Sequence, residues 1–423
     1  MTHVFNYDVS LTMNITDIDD KIIKRCERCR VCPKADLREA LRDPNHADNW
    51  CDTHSMRLAA MRVHRSAEAG VPFLELARRF ETEFLADMAS LGVAPPDAMT
   101  RVSEYVPEII DIIARIMEHG YAYESNGSVY FDTVAYTASG KHTYGKLVPE
   151  FIGNAEALAE GEGVLASASL GAADKRASSD FALWKRSRPG EPAWASPWGE
   201  GRPGWHIECT AMCGDVLGRI AGGPIDIHTG GIDLRFPHHD NEIAQSEALF
   251  ECKQWVNYFL HSGHLHIDGL KMSKSLKNFV SIRAALEANG PRRLRIACLL
   301  QRYNAPATFS ESGMEGAAAV ERTFDEFFGN ARARLRGLPR DAPAKWGPRE
   351  HAFGEVLRNT RATVRARLAD DFDTPVSTAR APTAIRSCQH DARTTAASPF
   401  MSLAGSAGRA QRLGAGNEQV YEG

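Results

Sequence analysis

Several absences narrow the reading before any motif is considered. No apolar run approaches the roughly 20 residues a membrane-crossing helix needs, which excludes a helical membrane protein. Neither sign of charge dominates. Lys and Arg number 50 against 54 Asp and Glu, a net charge of -4, so the chain is no basic nucleic-acid coat. RNA contacts would have to rest on local basic patches. The nine cysteines are an odd number in 423 residues, which argues against a disulfide framework and for reduced thiols, some of them metal donors. Residues Met1 to Asp17 lack a cationic stretch followed by an apolar one, so no secretory signal is expected and the predicted compartment is the cytoplasm. No repeat recurs along the chain.

What is present is ordinary for a soluble globular protein, with 43% hydrophobic and 25% charged residues and a length that suits two or three domains. Tyr7 to Lys24 reads as a strand running into a helix. Apolar positions at helical spacing predict helices over Pro72 to Leu91 and after Ser103, a candidate cap, with Gly120 as the stop. Tyr121 to Thr133 reads as a hairpin turning at Asn126-Gly127. Insertions are expected near 26–60 and 153–200, and the Pro-, Gly- and Trp-rich run Trp184 to Trp205 is expected as a loop over a pocket. Ile225 to Thr229 and Tyr258 to His266 read as strands, and His238 to Glu251 and Ile282 to Ala288 as helices. The pattern after Met314 is helical only. The tail beyond Pro382, rich in Ala, Arg, Ser, Thr and Gly, is expected to be disordered. Mixed elements followed by helices suggest an α/β body over 1–310, a helical domain over 311–380 and a low-complexity tail over 381–423.

The sharpest motif is Gly269-Leu270-Lys271-Met272-Ser273-Lys274-Ser275. Two lysines three apart, among hydroxyls and after a glycine, suit a mobile loop that grips a polyphosphate where negative charge develops. The plain alternative is a solvated basic loop. A second constellation is Cys209 with His238 and Glu242. The last two lie at i and i+4, on one face of a helix, and all three are competent zinc donors that leave a coordination position open. A free thiol suits that position, which would separate cysteine from serine without editing. On composition alone, a surface His-Glu pair and a core cysteine remain the alternative.

Together these strings resemble cysteinyl-tRNA synthetase, a class I family. Asn14 to Ile22 (NITDIDDKI), Gly204 to Cys209 (GWHIEC), Pro237 to Ala248 (PHHDNEIAQSEA) and KMSKS at Lys271 to Ser275 stand in that family's order, with gaps, from about Tyr7 to Thr374. Arg101 to Tyr105, Lys146 to Glu150 and Asp180 to Lys185 are most similar to the eukaryotic cytosolic form. The resemblance implies a doubly wound, Rossmann-like parallel sheet, N-terminally truncated, with nucleotide at the carboxyl ends of the strands, followed by an α-helical, tRNA-contacting domain. It implies zinc on Cys209, His238 and Glu242, a cysteine pocket lined by Thr16, Trp205 and His228, and ATP, as its magnesium complex, held by Lys271, Ser273 and Lys274. The implied partners are cysteine, ATP and tRNA(Cys), with no membrane; oligomeric state is left open.

The family's HIGH motif and a further zinc cysteine precede the segment with which this sequence opens. His261-Ser262-Gly263-His264 fits H-x-G-H but lies before KMSKS, in the wrong place for that role. Where many members have three glycines after the histidine, this chain has His228-Thr229-Gly230-Gly231. A second cluster, Cys26, Cys29 and Cys32 with Cys51 and His54, has metal-ligand spacing that the family does not require. Arg292, Arg293 and Arg295, with later arginines at 332, 334, 336, 361, 365 and 367, are either RNA phosphate contacts or solvated helix faces. The leading expectation is an ATP-dependent cysteine–tRNA ligase. The alternatives are a catalytically incomplete copy that keeps zinc and weak tRNA binding, and a related ligase joining cysteine to an amino sugar.

Overall fold

The computed structural model describes residues 1–23, 71–162, 174–221, 224–267, 269–272, 278–337 and 345–379. The second cysteine cluster, the tail and the whole of the first insertion lie outside the described residues, as do Ser273 and Lys274. Two compact units divide at Ser262/Gly263, the second also taking in His3–Phe5 and Ser90–Gly92.

In the first unit, β1 (Thr12–Ile15) pairs in parallel with β2 (Ala98–Arg101), which follows helix α1 (Val71–Ser90). Helix α2 (Val106–Glu118) buries Val106, Ile109, Ile113 and Ile116, one stripe at helical spacing, with proline in its first turn. Ser103 does not cap it. The serine sits in a single 3-10 turn, and its amide and hydroxyl both donate to the buried Asp17 carboxylate, at 2.9 and 2.5 Å. The hairpin is as expected. Strands β3 (Ala122–Ser125) and β4 (Ser128–Phe131) join through Asn126 and Gly127, both at positive φ, which matches the right-handed strand twist.

The run expected as a loop is irregular over residues 187–200 but begins and ends in sheet. Strand β5 (Phe181–Arg186) pairs antiparallel with β4, and β6 (Gly201–Pro203) with β5. The apolar stretch Phe181 to Trp184 is buried on both faces, so it has no alternating pattern to betray it. This four-stranded antiparallel sheet packs its Phe131, Phe181, Leu183 and Trp184 into one core with the α2 stripe. Helix α3 (Thr133–Ala138) begins at Asp132, whose carboxylate caps Ala135 N–H. Helix α4 (Ile207–Ala221), strand β7 (Ile225–Gly231), helix α5 (Asp240–Phe250) and strand β8 (Val256–Ser262) follow, with β7 and β8 parallel and in register from Ile225/Val256 to Gly231/Ser262.

The second unit holds a small sheet, β9 (Leu265–Ile267) between β10 (Leu270–Lys271) and β11 (Ala307–Phe309). Three helices accompany it. They are α6 (Ile282–Leu299), capped by Ser281 and broken at Gly290-Pro291, α7 (Glu311–Gly337) and α8 (Pro348–Ala369). Arg292 and Arg293 reach Asp325 and Glu321 of α7 at 3.0 and 3.1 Å, so these two arginines have acidic partners within the fold. No helix among the described residues is long and apolar enough to cross a membrane.

Two buried polar groups make the first unit testable. Arg202 on β6 is buried between two carboxylates, Asp20 at 3.1 Å and Glu191 at 2.6 Å. Arg202→Met would leave both without their shared guanidinium and lower unfolding stability by about 3 to 5 kcal/mol in urea denaturation. A loss under about 1 kcal/mol would show that the cluster is solvated. His142 is buried, stacked on Tyr136 at 4.8 Å, and burial pushes its pKa below the ordinary value. The unfolded chain therefore takes up that proton first, and stability falls as pH drops below about 6.5. His142→Phe would lose less stability than the parent protein between pH 7.5 and 5.5; equal losses would remove His142 as a cause.

Candidate metal and substrate site

The site is built where α4, β7 and the entry to α5 converge. Cys209 and Cys213 are i and i+4 on α4, so both thiols face the same way. Glu242 lies in the first turn of α5, and His238 in the wider turn that leads into it. His228 projects from β7. Cys209 Sγ stands 3.3 Å from His238 Nε2, and the ligand atoms of Cys209, His238 and Glu242 all lie within 4.8 Å of one another. The three residues picked from the sequence thus converge, although 28 residues separate Cys209 from the His-Glu pair.

Glu242 is fully buried, and neither of its oxygens accepts an aligned hydrogen bond among the described residues. His228 Nε2 sits 3.1 Å from Oε2 as a charge contact. Burial opposes the carboxylate's charge, yet His228 beside it, with His239 and His238, holds its pKa down to about 2. The same pairing works the other way on His228. Burial disfavours its protonation, but Glu242 raises its pKa above the ordinary value. Burial takes His238 down to about 4 and His239 to about 3, so both rings are neutral donors near pH 7. Burial also pushes the Cys209 thiol well up, and Glu242 adds to it. An ionised, poorly matched buried carboxylate beside a thiol and a neutral imidazole is the donor set expected for a soft divalent cation, whose charge would reverse that cost to the thiol. The residues fit zinc.

The surroundings orient these donors. His238 Nδ1 lies 3.2 Å from His206 Nδ1, and the Trp205 ring packs on His238 with centroids 4.5 Å apart. A cation held at Nε2 would leave the His238 proton on Nδ1, where it would donate to His206. Asn14 on β1 donates its amide toward both sulfurs, at 3.5 Å to Cys209 and 3.8 Å to Cys213, and is itself fixed by Thr100 at 2.9 Å. Thr16, exposed at the end of β1, donates to Glu208 at 3.2 Å. Gly230 follows the His228-Thr229 pair, and a Cβ there would come within 2.7 Å of the His239 ring. His261, half of the H-x-G-H string, is bound to His239 at 2.8 Å. Lys271 lies on β10 of the second unit.

Residues 1–319 match the model of the tRNA synthetases class I (C) catalytic domain. The chain belongs to this family. It is 46% identical over 374 residues to the cytoplasmic cysteine–tRNA ligase of Dictyostelium discoideum, covering 88% of this chain and 50% of that one. It is 42% identical over 432 residues to the human cytoplasmic cysteine–tRNA ligase, covering 88% and 57%. The chain therefore spans about half the length of the curated relatives it matches. Among solved structures, a Mycobacterium tuberculosis methionyl-tRNA synthetase in complex with methionyl-adenylate superposes with TM-score 0.56 at 14% identity, over 91% of this chain and 84% of that one. That likeness concerns the fold alone, which is the Rossmann-like α/β body of class I synthetases.

Sequence reasoning missed four of the synthetase site's neighbours: Asn14, Thr100, His206 and Cys213. Cys213 was within reach of the helical rule that paired His238 with Glu242. His206 and Asn14 stood inside quoted motifs, but which neighbour each touches depends on the packing of β1 and α4. His206→Gln is expected to weaken zinc retention about 10- to 100-fold in competition with a chelator, as loss of an orienting partner does. Unchanged retention would mean that His206 does not orient His238.

Proposed function

We propose that this chain carries the activation and transfer chemistry of a cysteine–tRNA ligase, joining cysteine to tRNA(Cys) at the expense of ATP. The observation that carries the reading is the convergence of Cys209 with the buried His238 and Glu242, with Trp205 packed on the histidine. The names of the relatives favour the same reaction over a catalytically incomplete copy, and point to the cytoplasm as its place of work.

In this reading Cys209, His238 and Glu242 hold zinc, and the ion when bound supplies a Lewis acid with strong preference for thiolate over hydroxyl. The protein's own residues do the rest. Thr16, Trp205 and His228 line the cysteine pocket. Thr16 is presented by β1 and tied to Glu208, Trp205 is held by its packing on His238, and His228 is held by Glu242. Each is fixed by a second contact, so the substrate meets a pre-ordered wall rather than one that must be organised on binding. Lys271 and Lys274, with Ser273, place cationic and hydroxyl donors on the phosphates of magnesium-bound ATP as the cysteine carboxylate attacks the α-phosphate and pyrophosphate leaves. The helical region of the second unit supplies the tRNA-facing surface.

The experiment is cysteine-dependent exchange of pyrophosphate into ATP, with serine as control. Exchange with cysteine and little with serine is expected, and Glu242→Ala should lose bound zinc and the preference for cysteine together. Equal use of both amino acids by the parent protein would overturn zinc-based thiol selection.

A further inference from the structure

The carboxylate at the centre of the site serves two ligand sets. Cys209, His238 and Glu242 form one. Cys213, His228 and Glu242 form another, whose ligand atoms also lie within 4.8 Å of one another. Each set pairs one thiol of α4 with one imidazole, and the only shared member is Glu242. Its Oε2 faces His228 at 3.1 Å, and both of its oxygens are buried without an aligned donor. Asn14 points its amide at both sulfurs, at 3.5 and 3.8 Å, so the two thiols are oriented by one donor. Neither the composition of α4 nor its packing requires a thiol at position 213, which is buried beside Ile225, Trp255 and Val256 where an aliphatic side chain would serve as well.

We propose that Cys213, His228 and Glu242 form a second position for a soft divalent cation, next to the first and joined to it by the Glu242 carboxylate. The charge count favours it. Two thiolates and one carboxylate supply three negative charges, and the two imidazoles are neutral donors, so two dications sharing this pocket would be largely neutralised. A bridging carboxylate with one oxygen toward each ion is the usual way to hold two metals close together.

The inference goes beyond the ligase reading and does not rest on it, because metal uptake is measured without ATP, cysteine or tRNA. Metal-stripped protein carrying Cys26→Ser, Cys29→Ser, Cys32→Ser and Cys51→Ser in every sample, so that the other cysteine cluster adds no thiolate band, is titrated anaerobically with cobalt(II), following the near-ultraviolet absorption of thiolate-bound cobalt, with a thermal melt for each variant as a check on folding. The parent protein should take up two equivalents, Cys209→Ser and Cys213→Ser one each with a thiolate band, and the double variant none with such a band. In the Cys209→Ser background, His228→Asn should weaken the remaining uptake at least tenfold. Folded Cys209→Ser that gains no thiolate band, or equal uptake by the parent and a folded Cys213→Ser, would overturn the second position. Should Cys209→Ser not fold, the comparison of the parent with Cys213→Ser decides the matter alone.

Discussion

Helix α5 is polar along much of its length and buried along almost all of it, and the first unit is arranged to make that tolerable. Asp240, Asn241, Glu242, Gln245, Ser246 and Glu247 are each at most 1% exposed. A buried polar group costs several kcal/mol unless it finds a partner. The partners come from every neighbouring element. Asp240 accepts the amides of Leu147 and Val148, and Asn241 accepts the Tyr144 hydroxyl. Gln245 donates to the carbonyl of His206, Ser246 meets Thr210, and Glu247 takes Lys146 and Tyr136. Five anchored neighbours fix the helix in rotation and in height. Glu242 is the charged member left without an aligned donor, so the rigidity supplied by the others is delivered at the one position where a carboxylate is kept poorly satisfied.

This arrangement explains the electrostatics around it. A lone buried carboxylate would neutralise itself, but His228 beside it holds Glu242 ionised, while burial keeps His238 and His239 unprotonated. The negative field of Glu242 in turn adds to the burial that discourages ionisation of both thiols, Cys213 reaching about 12. Left alone, the pocket stores an anion beside protonated sulfurs. A dication would settle all of these charges at once, since it stabilises the carboxylate and draws thiolates from the thiols.

How much of this could be read from the sequence depends on what each element uses to hold itself. The β3–β4 hairpin was legible because Asn126-Gly127 is a local signal that needs no tertiary help. The α2 stripe was legible because one apolar face meets one core. Helix α5 was legible as a helix, but its burial was not, because besides the core contacts of Ala244, Ala248 and Leu249 its polar residues are covered by hydrogen bonds from partners such as Thr210 and Tyr136, 36 and 111 positions away. Strand β5 was hidden by the absence of alternation, and β6 by its glycine and proline. Cys209, His238 and Glu242 could be singled out because donor chemistry and helical spacing survive in one dimension and the family resemblance joins them, whereas Asn14 and His206 act through contacts that only the assembled sheet and helices create.

The short segment that opens with β1 shows how closely fold and site are joined. Within seven residues, Asn14 turns to the two thiols, Thr16 to Glu208, Asp17 to the Ser103 turn and Asp20 to Arg202. Two of these contacts fix the segment to the turn before α2 and to β6, and the other two act on α4, the helix that carries the thiols. Asn14 on β1 and Thr16 just beyond it both reach α4, so the pair that meets the site cannot be moved independently. Any shift of β1 along its parallel partner β2 would therefore release the sulfurs and the Thr16 wall together, while Thr100, which fixes Asn14 from β2, opposes that shift.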